Sequence, residues 1–222
     1  MSKAKALKPF QIKHALSICN LMTHKQGKRC ALVLSHSAMR VSEIALLETK
    51  YVVTKAGLIR REIHLPAAIC KNLKPRTVWL GGSLITEIIQ DWIDYRKAKG
   101  WGTILSSNDY QGLNPDSRFL FSNKGRPYAM TVKKRTLVDG SVKEYKSSDA
   151  LESSIRTVYK KAGLHQASSH SGRKSLVTNG IVKHGYSLTQ MANLLGHNDE
   201  ETTLIYVDID QQRISEMYEQ AF

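Results

Sequence analysis

Residues 168–206 read SSHSGRKSLVTNGIVKHGYSLTQMANLLGHNDEETTLIY. Helix punctuation divides this stretch into three. Ser168 or Ser169 can cap a helix running to about His184. Ser187 with Gln190 caps a second, which Gly196 ends, and Asn198 with Glu201 caps a third that carries Tyr206. His170 and Arg173 stand at i and i+3, so they share one face in the first turn of their helix. His197 follows Arg173 by 24 residues and Tyr206 follows His197 by nine. A single His-x-x-Arg is a weak signal; its meaning depends on what else the chain supplies.

Outward from this stretch the pattern stays helical on both sides. Upstream, Asp149 and Glu152 form a capping-box pair, Leu151, Ile155, Val158 and Tyr159 share a face, and Gly163 ends the helix. Downstream, the segment from Asp210 to Glu219 has apolar Ile214, Met217 and Tyr218 and reads as a last short helix. Before residue 149 comes KKRTLVDGSVKEYK at 133–146, where Asp139-Gly140 between β-favouring residues signals a hairpin with basic arms. RFLFSNKGRPY at 118–128 reads as a short strand with a Gly turn.

The first half adds more helix. Ile12, Ala15, Leu16, Cys19 and Met22 keep one face, and further helices fall near 29–38 and 41–47. From Tyr51 to Leu80 the pattern shifts to short β-rich pieces, YVVT, LIRREIHL and RTVWL, which predict a three-stranded antiparallel meander. Ser83 opens a helix with Ile85, Ile88, Ile89 and Trp92 on one face, closed by Gly100. The expected fold is mixed α/β, mostly α, with a small three-stranded sheet against a helical bundle. It forms a single unit over residues 1–222, without repeats or low-complexity linkers.

Composition sets limits on function. The 222 residues are 41% hydrophobic, which supplies a core, and no apolar run is long enough to span a bilayer. The opening residues lack a signal-peptide apolar stretch, and Cys19, Cys30 and Cys70 form no Cys-x-x-Cys pair, so the expected compartment is the cytoplasm. Thirty-three Lys and Arg against 19 Asp and Glu give a net charge of +14. A charge of that size speaks to partners, and the commonest large polyanion in a cell is nucleic acid.

The chain resembles the tyrosine recombinases, the phage-integrase family of site-specific DNA recombinases. The resemblance rests on AMRVSEIALL, CKNLKPRTVWL, HSGRKS and LLGHNDEETTLIY in that order and spacing, and it covers roughly Lys8 to the C-terminus. It implies the fold of that family's catalytic domain and a site made of Arg40, Lys71, His170, Arg173, His197 and the nucleophile Tyr206. Glu43 would support Arg40 from one turn away. Lys74 competes with Lys71 for the hairpin-lysine role, and Lys74, Arg76 and Lys174 are candidate DNA contacts.

The side chains suit the chemistry. Two guanidiniums, Arg40 and Arg173, can hold the non-bridging oxygens of a phosphodiester and stabilise the charge added in the transition state. A free tyrosine has a pKa near about 10, so Tyr206 needs its proton taken, a task His170 can assist. His197 can donate to a phosphate oxygen, and Lys71 can protonate the departing 5′-oxygen. A 3′-phosphotyrosyl link retains the energy of the original bond, so no cofactor and no metal are expected. The sequence has neither a P-loop nor a His-Glu-x-x-His motif. Taken singly, Arg40 and Glu43 read equally as a surface ion pair, Tyr206 as a core aromatic, and the two lysines as solvated turn residues.

The resemblance further implies double-stranded DNA as partner. It implies a homo-oligomer, from dimer to tetrameric synapse through the C-terminal helix, an accessory DNA-bending protein, and a nucleoid-associated role in a mobile element such as a prophage, island or plasmid. Only 39 residues precede Arg40, so neither a separate core-binding nor an arm-binding domain is expected. The alternatives are an invertase of the fimbrial-switch type, a type IB topoisomerase and a non-catalytic DNA-binding regulator.

Overall fold

The computed structural model describes residues 4–105, 108–136, 140–196 and 203–204; of Arg135 and Lys143 only the backbone is described. The core is organised around α2 (Lys25–His36), in which Cys30, Ala31, Leu32, Val33, Leu34 and Ser35 are all buried. A helical segment buried on every side must be surrounded, and α2 packs against α1 (Pro9–Cys19), α3 (Val41–Leu46), α5 (Ser83–Lys99), α6 (Asp149–Lys161) and α7 (Ser171–His184). Ala15, Leu16 and Cys19 of α1 face this core, as the sequence pattern predicts.

Helix α5 presents Ile88, Ile89, Trp92 and Ile93 to α2 and ends at Gly100, whose φ of +66° suits glycine. The same face buries Arg96. Its guanidinium donates to Thr49 Oγ1 (3.1 Å), the Phe119 carbonyl (3.2 Å) and Ser117 Oγ (2.9 Å), and lies 4.8 Å from the centre of the Phe121 ring. A buried cation needs this degree of satisfaction, because each missing hydrogen bond would cost about 1–3 kcal/mol.

That network explains one departure from the sequence reading. Residues 51–53 do not form the first strand of a three-stranded sheet. Thr49–Val52 form a short helix, α4, and only Val53 retains a β-bridge, to Ile59. Thr49 is bonded to Ser117 through its amide (3.0 Å) and hydroxyl (3.1 Å), while the Lys50 amide donates to the Pro115 carbonyl. These tertiary bonds override the β preference of Tyr51 and Val52. The sheet has two antiparallel strands, β1 (Glu62–Leu65) and β2 (Arg76–Trp79), with Ile63 opposite Val78.

Residues 118–127 stay extended but do not form a ladder. Arg118 bridges Glu48 and Phe121 bridges Pro127 around a turn in which Gly125 has φ +68°. The hairpin expected from Asp139-Gly140 forms β3 (Thr131–Thr136) and β4 (Val142–Ser147), paired throughout. Helix α6 begins at Asp149 with Ser148 as N-cap, so Asp149 and Glu152 sit in the first turn and do not make the expected capping box. His170, and neither Ser168 nor Ser169, is the N-cap of α7. Helix α8 (Leu188–Leu195) has the predicted Ser187–Gln190 box and ends at Gly196. The expected helices from Asn198 and from Asp210 lie outside the described residues.

Candidate active site

The site is assembled on the turn that links α2 to α3. Ala38 there has φ +66°, a left-handed conformation that costs a non-glycine residue about 1–2 kcal/mol. Its carbonyl accepts from two guanidiniums, Arg76 Nη2 at 2.7 Å and Arg173 Nη1. Two residues on, Arg40 is the N-cap of α3. Its amide and Nη1 both donate to Glu43, at 2.7 and 2.8 Å, in a capping box that fixes the start of the helix.

Glu43 is fully buried and accepts a second guanidinium. Arg76 donates to Oε2 from Nη2 (2.5 Å) and to Oε1 from Nε (3.3 Å). Burial pushes the Glu43 carboxyl up, but the hydrogen bonds and charge of Arg76, with the charge of Arg40, outweigh it and hold the group below the usual carboxylate range. Glu43 is thus a charged link between α3 and β2.

The HSGRKS segment is locked in place by contact. A Cβ on Gly172 would lie 2.5 Å from the Ser35 carbonyl oxygen, so only glycine lets α7 approach α2 this closely. Arg173, 1% exposed, points into the molecule, and its Nη2 donates to the Leu195 carbonyl at 3.1 Å. Gly196, at φ +64°, closes over Arg76; a Cβ there would meet Arg76 Cδ at 2.8 Å. The LLG end of α8, the HxxR turn and the α2–α3 turn therefore meet at the paired arginines.

His170 borders this cluster. Its imidazole is pushed below the ordinary histidine value, first by desolvation and then by the charges of Arg173, Arg40 and Lys71, against which Glu152 acts in the opposite direction. Lys71 and Lys74 are exposed on the 71–73 turn, where Asn72 and Leu73 both have positive φ. Three of the six expected site residues, Arg40, Lys71 and Arg173, thus bear electrostatically on a fourth, His170. His197 and Tyr206 lie outside the described residues.

Two of the expected DNA contacts are placed differently. Arg76 has a side chain only 6% exposed and is engaged by Glu43, Ala38 and Leu194, so its place is in the framework. Lys174 is buried, because it starts the turn of α7 that faces inward beside Arg173. Of the three expected contacts, Lys74 alone is exposed. Sequence reasoning missed the Ala38 carbonyl and the Arg76–Glu43 pair. The signal was available in the apolar neighbours Val78 and Leu80, which mark Arg76 as a strand residue on an inward-facing register.

Among the described residues, no group of three or more His, Cys, Asp or Glu side chains is placed to hold a metal ion, and no helix is long and apolar enough to cross a membrane.

This arrangement of Arg40, Glu43, His170 and Arg173 is the one the resemblance implies, and comparison with known proteins places the chain in that family. Residues 5–213 match the phage integrase family, to which the chain belongs. A stretch of 110 residues is 31% identical to the tyrosine recombinase XerC of Lactobacillus leichmannii, covering 49% of this chain and 31% of that protein. The chain therefore spans about a third of the length of that curated relative. Among solved structures, XerA recombinase superposes with a TM-score of 0.66 at 19% identity, over 98% of this chain and 65% of the other. XerH site-specific recombinase, in a post-cleavage complex with palindromic difH substrate, gives 0.65 at 18% identity, over 97% of this chain and 52% of the other. At these identities the structural likeness establishes the fold.

Proposed function

We propose that this chain is the catalytic part of a site-specific DNA recombinase that cuts and rejoins DNA through a 3′-phosphotyrosyl link on Tyr206, in the service of a mobile element. The observation that carries the reading is that Arg40, held by Glu43, and the buried Arg173, held by the Ala38 and Leu195 carbonyls, are fixed around the same α2–α3 turn. Two fixed guanidiniums match the needs of a pentavalent phosphate, whose added negative charge must be neutralised where it develops, and the exposed Lys71 adds a third charge that acts on His170.

Arg40 and Arg173 bind the non-bridging oxygens. Glu43 aims Arg40, and Arg76 keeps Glu43 charged in turn. The near-complete burial of Arg173 adds a step: its bonds to the Ala38 and Leu195 carbonyls must be exchanged in part for phosphate oxygens as DNA seats. Desolvation and the surrounding cations hold the His170 imidazole below its ordinary value, which favours the neutral form that accepts a proton. Between an ordinary tyrosine and an ordinary histidine the gap is about 3.5 pKa units, or about 5 kcal/mol against transfer. The phosphate narrows that gap by raising the imidazole, while the arginines favour the phenolate. His197 donates to a phosphate oxygen. Lys71 gives its proton to the departing 5′-oxygen, after which a 5′-hydroxyl from another strand can reverse the reaction.

Residues 1–222 act as one catalytic unit on double-stranded DNA, a reading supported by the continuous core that joins α1 to α8. Two duplexes are held by a tetramer coupled through residues 207–222, with an accessory protein bending the DNA. The site of action is the nucleoid. Synapsis separates this reading from a type IB topoisomerase, and cleavage separates it from a non-catalytic regulator. The test uses nicked duplexes drawn from the DNA flanking its own coding region. Wild-type protein gives an SDS-resistant protein–DNA band and Tyr206→Phe gives none. An equal band from both would overturn the assignment.

A further inference from the structure

The β3–β4 hairpin is a surface with no evident role in the fold. Its strands hold five cations, Lys133, Lys134, Arg135, Lys143 and Lys146, against one carboxylate, Glu144. Both faces of the ribbon meet solvent: Val132, Val142 and Tyr145 are 55%, 59% and 47% exposed. Two strands without a covering layer are marginally stable in water. The backbone register sets the cationic positions Arg135 and Lys143 opposite one another. Of the remaining cations, Lys134 pairs with Glu144 at 3.2 Å on the exposed ribbon, and Lys146 has no ion-pair partner among the described residues.

The root of the hairpin lies next to the candidate active site. Ser148, just after β4, caps α6, and Lys133 forms an ion pair with Asp149 in the first turn of that helix. One residue of the same turn, Glu152, bears electrostatically on both Lys133 and His170. Strand β4 also packs beside α3, whose N-cap is Arg40. From this root a six-residue ribbon reaches about 20 Å, some six base pairs of duplex.

We propose that the β3–β4 hairpin is a DNA-backbone arm, laid along duplex phosphates beside the scissile site through Lys134, Arg135, Lys143 and Lys146. This rests on the recombinase reading above and adds a binding element to it. The register puts Lys134, Lys146 and the valines on one face of the ribbon and Arg135, Lys143 and Tyr145 on the other, so the ribbon would meet the phosphates flanking a groove from both faces.

The test is the salt dependence of binding to a mixed-sequence duplex, followed by fluorescence anisotropy with the full chain. Each lost phosphate contact makes the slope of log affinity against log salt shallower by about 0.9. For K134Q/R135Q/K143Q/K146Q the expected result is a slope shallower by about two or more and affinity at least about tenfold weaker at 150 mM salt. The charge-matched variant K97Q/K99Q/K160Q/K161Q, altered elsewhere on the surface, should bind like wild type. Thermal unfolding of both variants checks that the fold is kept. Equal losses in the two variants, or no change in the hairpin variant, would overturn the proposal. Unchanged DNA binding with an altered oligomeric state by light scattering would make the hairpin a protein-docking surface and overturn it as well. Failure of wild type to bind duplex at low salt would instead sink the recombinase reading, and the arm with it.

Discussion

Glu43→Gln is the most informative single change in this molecule. The carboxylate is fully buried and accepts four hydrogen bonds: two from Arg76, and one each from the amide and the Nη1 of Arg40. Glutamine preserves the shape but removes the charge, and it turns an NH2 group towards one of the two guanidiniums. Arg76, with a side chain 6% exposed, is then a buried cation without its counter-ion. Breaking a buried pair from one side costs about 3–5 kcal/mol. For a chain of this length each kcal/mol lowers Tm by about 2–4 °C, so a fall of about 6–20 °C is expected in differential scanning calorimetry. Replacing both partners, with Glu43→Leu and Arg76→Met, should recover much of that loss, because two apolar groups leave no orphaned charge. DNA cleavage by the double variant should nonetheless stay depressed by about a hundredfold, since Arg40 has lost its guide. A Glu43→Gln protein that melts within about 2 °C of wild type and cleaves DNA normally would refute the argument.

Three other expectations follow from particular residues. His36, hydrogen-bonded to Tyr159 at 3.1 Å, is half-buried, and desolvation pushes its imidazole down to about 4. The unfolded chain therefore binds a proton before the folded one does; the associated stability is complete above about pH 6.5 and is lost as pH falls towards 4. Unfolding free energies from urea titrations at pH 7.5 and 5 should differ by about 2 kcal/mol more in wild type than in His36→Gln, and parallel pH profiles would count against this. Gly172→Ala forces a Cβ to within 2.5 Å of the Ser35 carbonyl oxygen. It should destabilise by about 1–3 kcal/mol and lower cleavage by shifting His170 and Arg173, and an active, fully stable variant would contradict the locked approach of α7. Lys71→Ala should slow cleavage of normal DNA but not of a duplex carrying sulfur at the 5′-bridging position, because a thiolate leaves without a proton. Lys74→Ala serves as the contrast, and rescue by sulfur in that variant alone would transfer the role.

How much was legible in the sequence depended on whether a residue's neighbours in the chain are also its neighbours in space. The Ser187–Gln190 cap, the Gly100 and Gly196 stops and the Asp139-Gly140 hairpin are local, and each describable part stands where the pattern sets it. The HxxR spacing puts His170 and Arg173 in one turn, and helix geometry does the rest. The failures come from long-range bonds. Tyr51 and Val52 have strand-like side chains, but Thr49 is held by Ser117 and Arg96, residues far along the chain. Arg76 reads as a surface cation until Glu43 and Ala38 are brought to it from more than 30 residues away. Lys174 is buried with Arg173 because the whole first turn of α7, from Ser171 to Ser175, is enclosed by other parts of the chain.

The central claim is that the bond to DNA is made by one particular hydroxyl. The direct measurement is tandem mass spectrometry of the protein trapped on a nicked duplex, after nuclease trimming and proteolysis. The account predicts a nucleotide adduct on Tyr206 and on no other residue, formed equally well in the presence of a metal chelator. An adduct on the exposed Tyr186 or on Tyr218, or one that forms only with added Mg²⁺, would contradict it.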